Sequence, residues 1–476
     1  MTAARQRESP ILFCPKSMPK PNFSFSKKFL SGEAHFGFWG IVSKLIGLIT
    51  TFFLISALSV YQYGVFQLLL SIFSILSSVV AIGAGVVGND INRFIGLGKE
   101  AEAKKLFFQY NSVRLVVGLI LSTGLFFGPA ILGDTYKPDF ILLLKLVSII
   151  VFLETIYTLP RSLLGMRLMF NYSASRSSVY KFFQAGFLAY FFFFSSLTVK
   201  EALLSLIVGS VGSLLFLISP MLKAYKPWRG VAVTKENLLF QVFRAHGKWD
   251  IANQFVSKIV SSAQIWLVKF FISTEAVAIY SVAQTMFGTV ASFFPTKTLG
   301  TLVPQAVGDK IKLQRIFEYG NKYLVILAII MGIGAAIVGP IVIHLIFPKY
   351  ILSLSYFLVL LFSLPVTAIS SVITVFIIAM RRQKYLVYQK ALKAITTLPM
   401  IFLMIYFGLW GLVAYHLVFS FLLCLSIYRL IRRVPPGFHL EWRNFFRFGA
   451  EDKIFISNFW NIFLSFLRKR LPFLAI

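Results

Sequence analysis

Lys44 and Lys258 sit where charge is least expected. Each lies eight or nine residues inside a long apolar stretch, roughly 12 Å from its edge at 1.5 Å per helical residue, with no acidic residue one turn away on the same stretch. A charge near the bilayer centre costs about 2.5–3.5 kcal/mol on insertion scales, so it either snorkels to the headgroups or faces a polar cavity. Gly40, Ser43, Lys44, Gly47 and Thr51 share one helical face, and Asp250, Asn253, Gln254, Ser257, Lys258 and Ser261 share another. The stretch after each adds Ser71, Ser74 and Ser78, and Gln284, Gly288 and Ser292. Small polar stripes also serve tight helix packing. With a lysine on each, they predict a water-filled, positively charged vestibule suited to an anionic substrate. Lys44, Lys258, Ser43, Ser257, Asn253 and Gln254 are the expected substrate contacts, and Lys297 either joins them or snorkels. Glu154, the one acid well inside an apolar stretch, either pairs across helices or takes up a proton as a coupling group.

Other motifs carry little. Gly83-Ala84-Gly85-Val86-Val87-Gly88 fits G-x-G-x-x-G but follows no strand. Asn171-Tyr172-Ser173 fits a glycosylation sequon but falls on the predicted cytoplasmic side. His344 and His416 are lone histidines in apolar surroundings, and Cys14 and Cys424 are too far apart to suggest a redox pair or a metal site. With no P-loop, nucleophile elbow or metal-ligand spacing, the sequence predicts no enzyme, no metal and no cofactor.

The elements that must position these residues follow from composition. Of 476 residues, 58% are hydrophobic and 13% charged, where a soluble domain carries about 25% charged residues. Apolar runs predict an all-α membrane protein of about twelve transmembrane helices, near 36–58, 65–88, 113–133, 140–160, 178–196, 202–222, 249–271, 277–302, 323–347, 353–379, 388–407 and 409–431. Most of the 47 Lys and Arg residues fall on the side shared by both termini and the longer loops, with Lys137, Lys200 and Lys349 opposite. Basic short loops stay in the cytoplasm, which predicts a multi-pass protein of the inner (plasma) membrane with both termini cytoplasmic. The net charge of +30 is then a topology signal and an attraction to anionic membrane lipids, with no nucleic acid as partner. Residues 1–35 form a cytoplasmic segment without the apolar core of a signal peptide. In the tail, 433–476, the 14 mostly apolar residues 454–467 before Arg468-Lys469-Arg470 read as an amphipathic interfacial helix or a re-entrant piece.

Shifting the sequence by 214 residues places Val42-Ser43-Lys44 on Val256-Ser257-Lys258, and Gly64-Val65-Phe66 on Ala278-Ile279-Tyr280. Six spans per half is an even number, so both halves, 36–222 and 249–432, enter the membrane in the same sense. Parallel repeats are a transporter architecture with the substrate path between them. The basic connection 223–248 is the cytoplasmic linker, too short for a further domain.

Leu58-Ser59-Val60-Tyr61-Gln62-Tyr63-Gly64-Val65-Phe66-Gln67-Leu68 resembles the first outer turn and second-span start of the polysaccharide (O-antigen type) flippases, within the multidrug/oligosaccharidyl-lipid/polysaccharide exporter superfamily. The stretches Ser273 to Ala283, Gly98 to Lys105 and Phe407 to Ala414 are similar to theirs too. The resemblance implies a V-shaped exporter of two six-helix bundles. It would carry a polyprenyl-pyrophosphate-linked oligosaccharide from the inner to the outer leaflet by alternating access, for cell-surface polysaccharide such as lipopolysaccharide or capsule. It also implies glycan polymerase or ligase machinery as neighbours, and gives Lys44 and Lys258 the role of cavity bases that hold pyrophosphate and acidic sugars. The alternative is a secondary-active multidrug or small-molecule exporter of similar fold. An exporter of cationic drugs is expected to line its cavity with acids, and only Glu154 lies deep in a span.

Overall fold

The computed structural model describes residues 23–131, 138–167, 169–232, 237–242, 260, 262–294, 299, 303, 310–380, 384–432, 437–440 and 449. Among these the secondary structure is helical throughout. The first half comprises α1 (Phe23–Ala57), α2 (Val60–Val80), α3 (Ala84–Gly96), α4 (Glu100–Ile131), α5 (Pro138–Met166), α6 (Phe170–Phe194), α7 (Val199–Tyr225) and the short α8 (Leu238–Val242). The second comprises α9 (262–271), α10 (Thr274–Ala291), α11 (Lys310–Ile346), α12 (Leu352–Leu361), α13 (Leu364–Ala379), α14 (Lys384–Ile395) and α15 (Thr397–Arg432). Seven described helices are long and apolar enough to cross a bilayer, or eight when the bent α12–α13 pair is taken as one span.

Three departures from the apolar-run reading have local causes. The run at 65–88 is two helices, because the chain turns at Gly83 with φ 77°, a region that only glycine enters cheaply. The run at 353–379 bends by 53° between α12 and α13, where Pro365 in the first turn of α13 cannot continue a hydrogen-bond ladder from α12. The α4 and α11 helices begin well before the predicted spans, since headgroups end an apolar run but not a helix. Glu100 and Glu102 also favour the positive N-terminal end of α4. Two antiparallel legs make up α15, hinged at Gly408 (φ 57°, ψ −137°). Thr396 and Tyr415 hydroxyls meet at 3.0 Å, although 19 residues of straight helix would separate them by roughly 28 Å.

The 214-residue shift also relates the elements. It carries Ser59, the N-cap of α2, onto Ser273, the N-cap of α10, and the starts of α5 and α6 onto those of α12 and α14. Each cap serine accepts a hydrogen bond from a backbone N–H in the first turn of its helix, from Gln62 and Ala276. Within the first half α6 packs on α1 and α7, and α5 on α4 and α7; within the second, α13 packs on α11 and α15.

Candidate functional site

The halves meet mainly through α2 and α10, at the ends that begin next to the short turns. Gly64 makes this approach possible: a Cβ there would overlap the carbonyl oxygen of Thr274 and lie 2.9 Å from its Cγ2. Ala278, Val282, Phe347 and Tyr350 of the second half share one buried apolar cluster with Phe53, Leu58, Tyr63 and Phe66 of the first. The Tyr63 and Tyr350 rings stand 5.8 Å apart, and the Lys349 ammonium donates to the backbone carbonyls of Ser56 and Leu58. On the short-loop side, the two halves are therefore sealed by a dry interface and a cap on the carbonyl end of α1.

Beyond the seal, toward the basic loops, the described residues line three cavities. One, of about 510 Å³, lies against the far ends of α2 and α5 and is lined by Ser74, Ser77, Ser78, Arg114, Glu154 and Arg161, with Lys390 reaching in from the second half. Arg114 is 6% exposed; its Nε donates to the carbonyl of Val80, the last residue of α2, and its Nη2 to the Thr158 hydroxyl at 2.5 Å. It thus satisfies an orphan helix-end carbonyl while facing the cavity. Glu154 lies in the field of Arg114, Arg161 and Arg176, yet makes no ion pair within 4.0 Å among the described residues. The Arg176 guanidinium lies over the Tyr157 ring at 4.6 Å, with Nε and Nη1 buried and unpartnered. One carboxylate among three guanidiniums leaves a cationic surplus, and unpartnered buried guanidinium nitrogens are costly unless an anion or water satisfies them.

The second cavity, about 360 Å³, lies between α1, α6 and α10 and contains Lys44, Gly47, Thr51, Lys181, Thr289 and Ser292. Lys44 donates to the Ser292 carbonyl at 2.8 Å and sits 4.5 Å above the Phe293 ring. Ser292 is the C-cap of α10, so the ammonium meets the negative end of a helix from the other half. Lys181 donates to the Ser43 carbonyl at 3.0 Å. The third cavity, about 530 Å³, lies within the second half around α13, α14 and α15, and touches the first through Lys390.

Of the residues singled out in the sequence, Lys44, Gly47 and Thr51 thus line the crevice between the halves. Ser43 does not: it is buried against α6, its hydroxyl 2.9 Å from that of Ser177. It sits one residue, about 100° of helical rotation, from Lys44, so α6 takes one flank of α1 while the crevice takes the other. Lys258, Ser257, Asn253, Gln254 and Lys297 lie outside the described residues. His416 lines the cavity of the second half, its ring in a T-shaped contact with Phe287 at 6.0 Å, while His344 Nδ1 lies 2.8 Å from the Pro340 carbonyl on an exposed face.

Sequence reasoning missed Arg114, Arg161, Arg176, Lys181, Lys390 and Lys393, which read as basic flanks of spans. One signal was available. The shift that pairs Lys44 with Lys258 also carries Arg176 onto Lys390, a base on the equivalent helix of each half.

No family model matches the sequence, and no curated protein matches it. Solved structures do. An inward-facing multidrug resistance MATE family transporter of the MOP superfamily aligns over 82% of this chain and 96% of its own at 15% identity, with TM-score 0.64. Lipid II flippase MurJ in an inward closed conformation aligns over 86% and 88%, again at 15% identity, with TM-score 0.65. A MOP superfamily transporter from Pyrococcus furiosus, with reversed polarity of its binding pocket, aligns over 85% and 93% at 13% identity, with TM-score 0.54. At these identities the likeness is one of fold. The chain shares the fold of these solved MOP superfamily transporters.

Proposed function

We propose that the chain is a flippase that moves a polyprenyl-pyrophosphate-linked oligosaccharide from the inner to the outer leaflet of the plasma membrane, for cell-surface polysaccharide biosynthesis. The observation that carries this reading is the charge of the crevice: Arg114, Arg161, Lys44, Lys181 and Lys390 line it, against Glu154 as the single carboxylate among the described lining residues. A cationic drug would meet repulsion there. A pyrophosphate presents charge and acceptor oxygens to guanidinium forks.

The remaining parts fit the same reading. With the basic loops in the cytoplasm, the α2–α10 seal closes the outer face and the cavities face inward, the state that loads substrate from the inner leaflet. An inside-negative potential favours outward movement of an anion by about 2.3 kcal/mol per charge per 100 mV, if the full field is crossed. The lipid tail stays in the bilayer while the polar head passes between the halves, which rock in alternating access. Arg161 and Arg114, which line the cavity, are the expected first contacts for phosphate, with Arg176 in the field of Glu154 behind them.

The test is rescue of surface polysaccharide in a bacterial strain lacking its own flippase. The wild-type chain is expected to restore it, and Arg161→Gln to reduce it at least tenfold at equal membrane abundance. Failure of rescue across several glycan types, together with acquired resistance to cationic drugs, would transfer the protein to the multidrug exporters.

A further inference from the structure

On the side of the basic loops, the outward face of the first half ends in a row of bases. Along α7, Val211, Leu215, Ile218 and Leu222 are exposed at spacings of four, three and four, which is one stripe of a helix. That stripe runs into Lys223 and Lys226, and the 3-10 turn Lys226–Trp228 carries it on to Arg229. All three bases are exposed, while Ala224 and Trp228 among them are buried. With three residues per 3-10 turn, Arg229 comes round over Lys226 while Trp228 turns inward. A second apolar stripe reaches the same place from α4, where Val116, Leu119 and Ile120 lead to the exposed Phe108. The Phe108 ring makes a T-shaped contact with Tyr225 at 6.2 Å and lies 6.5 Å from that of Trp228.

The carboxylates at the start of α4 are already engaged. Glu100 holds the Arg167 fork and the Trp228 indole, and Glu102 lies 3.8 Å from Lys99. Lys104 is committed to the carbonyls of Trp228 and Val231. The side chains of Lys223, Lys226 and Arg229 make no hydrogen bond or ion pair among the described residues. Two apolar stripes that converge on three uncompensated cations match a ligand with acyl chains and an anionic headgroup. A soluble anion leaves the stripes bare. A zwitterionic lipid sets its own cation against the bases. Attraction between a lipid phosphate and a surface base fades within a Debye length, so it acts where these bases meet the headgroup layer.

We propose that the basic-side ends of α4 and α7, with the connector through Arg229, form a binding site for an anionic phospholipid of the adjoining leaflet. Its acyl chains lie along the two stripes and its phosphate meets Lys223, Lys226 and Arg229. None of these residues lines the three cavities, so the site is independent of the substrate carried.

The experiment uses the purified full chain in lipid nanodiscs, with Ser219→Cys, an exposed position one turn before Lys223, labelled with a fluorophore in a background lacking Cys14 and Cys424. Quenching is titrated with phosphatidylglycerol or phosphatidylcholine, each spin-labelled on its acyl chain. Half-saturation is expected at a mole fraction at least fivefold lower for phosphatidylglycerol. Replacing Lys223, Lys226 and Arg229 together by Gln is expected to abolish that preference. Replacing Lys310, Arg429 and Arg432 by Gln removes as many exposed bases from the second half and is expected to leave it intact. Millimolar glycerol 3-phosphate is expected not to displace the lipid. Equal quenching by the two lipids, or a preference that survives the first triple replacement, would overturn the proposal. An equal loss in both triple variants would reduce it to the general pull of a basic protein, and displacement by glycerol 3-phosphate would make it a site for soluble anions; either result overturns it too.

Discussion

Gly64→Ala is the sharpest perturbation of the seal between the halves. The added methyl would overlap a backbone oxygen, that of Thr274, and stand 2.9 Å from its Cγ2 and 3.0 Å from its carbonyl carbon. A side chain could swing aside, but a carbonyl within the first turn of α10 cannot move without moving the helix. Overpacking of this kind costs about 1–3 kcal/mol. Alanine is also the better helix former by about 0.8–1.0 kcal/mol. That gain accrues whether or not the two helices are in contact, whereas the overlap exists only where α2 and α10 touch. The equilibrium between sealed and open forms should therefore shift toward the open form by the full 1–3 kcal/mol, roughly 5- to 150-fold. Rates of labelling report this directly, with a cysteine placed at Tyr63 in a background lacking Cys14 and Cys424 and a membrane-impermeant thiol reagent added from the side of the short turns. The rate should rise by a factor in that range. Thr274→Ala should not restore it, because the overlapping atom is main chain. An unchanged rate in a Gly64→Ala protein that folds normally would refute the assignment of this contact as the closed gate.

Three further outcomes follow from the same geometry. Lys44→Gln should keep a donor for the Ser292 carbonyl while losing the charge, and Lys44→Ala loses both. If charge in the crevice matters, both should lower glycan export several-fold; loss with alanine alone would mark Lys44 as a clasp between the halves. Glu154→Gln removes the one negative charge among the arginines. It should lower KM and turnover together while ion-gradient dependence is unaltered, and loss of that dependence in transport assays would make Glu154 the coupling group instead. Glu100→Ala removes both acceptors of the Arg167 fork (2.8 and 2.9 Å) and the partner of the Trp228 indole (2.6 Å). It should destabilise the first half by about 1–3 kcal/mol, read as earlier unfolding in a detergent melt and faster proteolysis after Trp228.

Most of the fold was legible because lipid forces every span to declare itself as an apolar run. Breaks inside a run were harder to see. Gly83 and Pro365 are ordinary residues in a membrane helix until the neighbouring helix fixes where the chain must turn. The site was legible only where charge stood far from a run's edge, as at Lys44 and Glu154. Arg114 and Lys393 lie within a turn or two of an edge, where a snorkelling base looks the same in sequence as one folded back over a cavity. Ser43 shows the converse limit, for periodicity assigns a face to within about one residue and a neighbouring helix takes the margin.

The connector after α7 alters how motion between the halves must be pictured. Lys104 donates to the carbonyls of Trp228 and Val231 at 2.9 Å, Trp228 is fully buried, and Leu238 and Val242 join the same apolar cluster as α4. These residues are cargo of the first bundle rather than slack between two. On the proposed alternating-access reading, the connector through Val242 travels with the first bundle, and the α2–α10 contact sets the pivot.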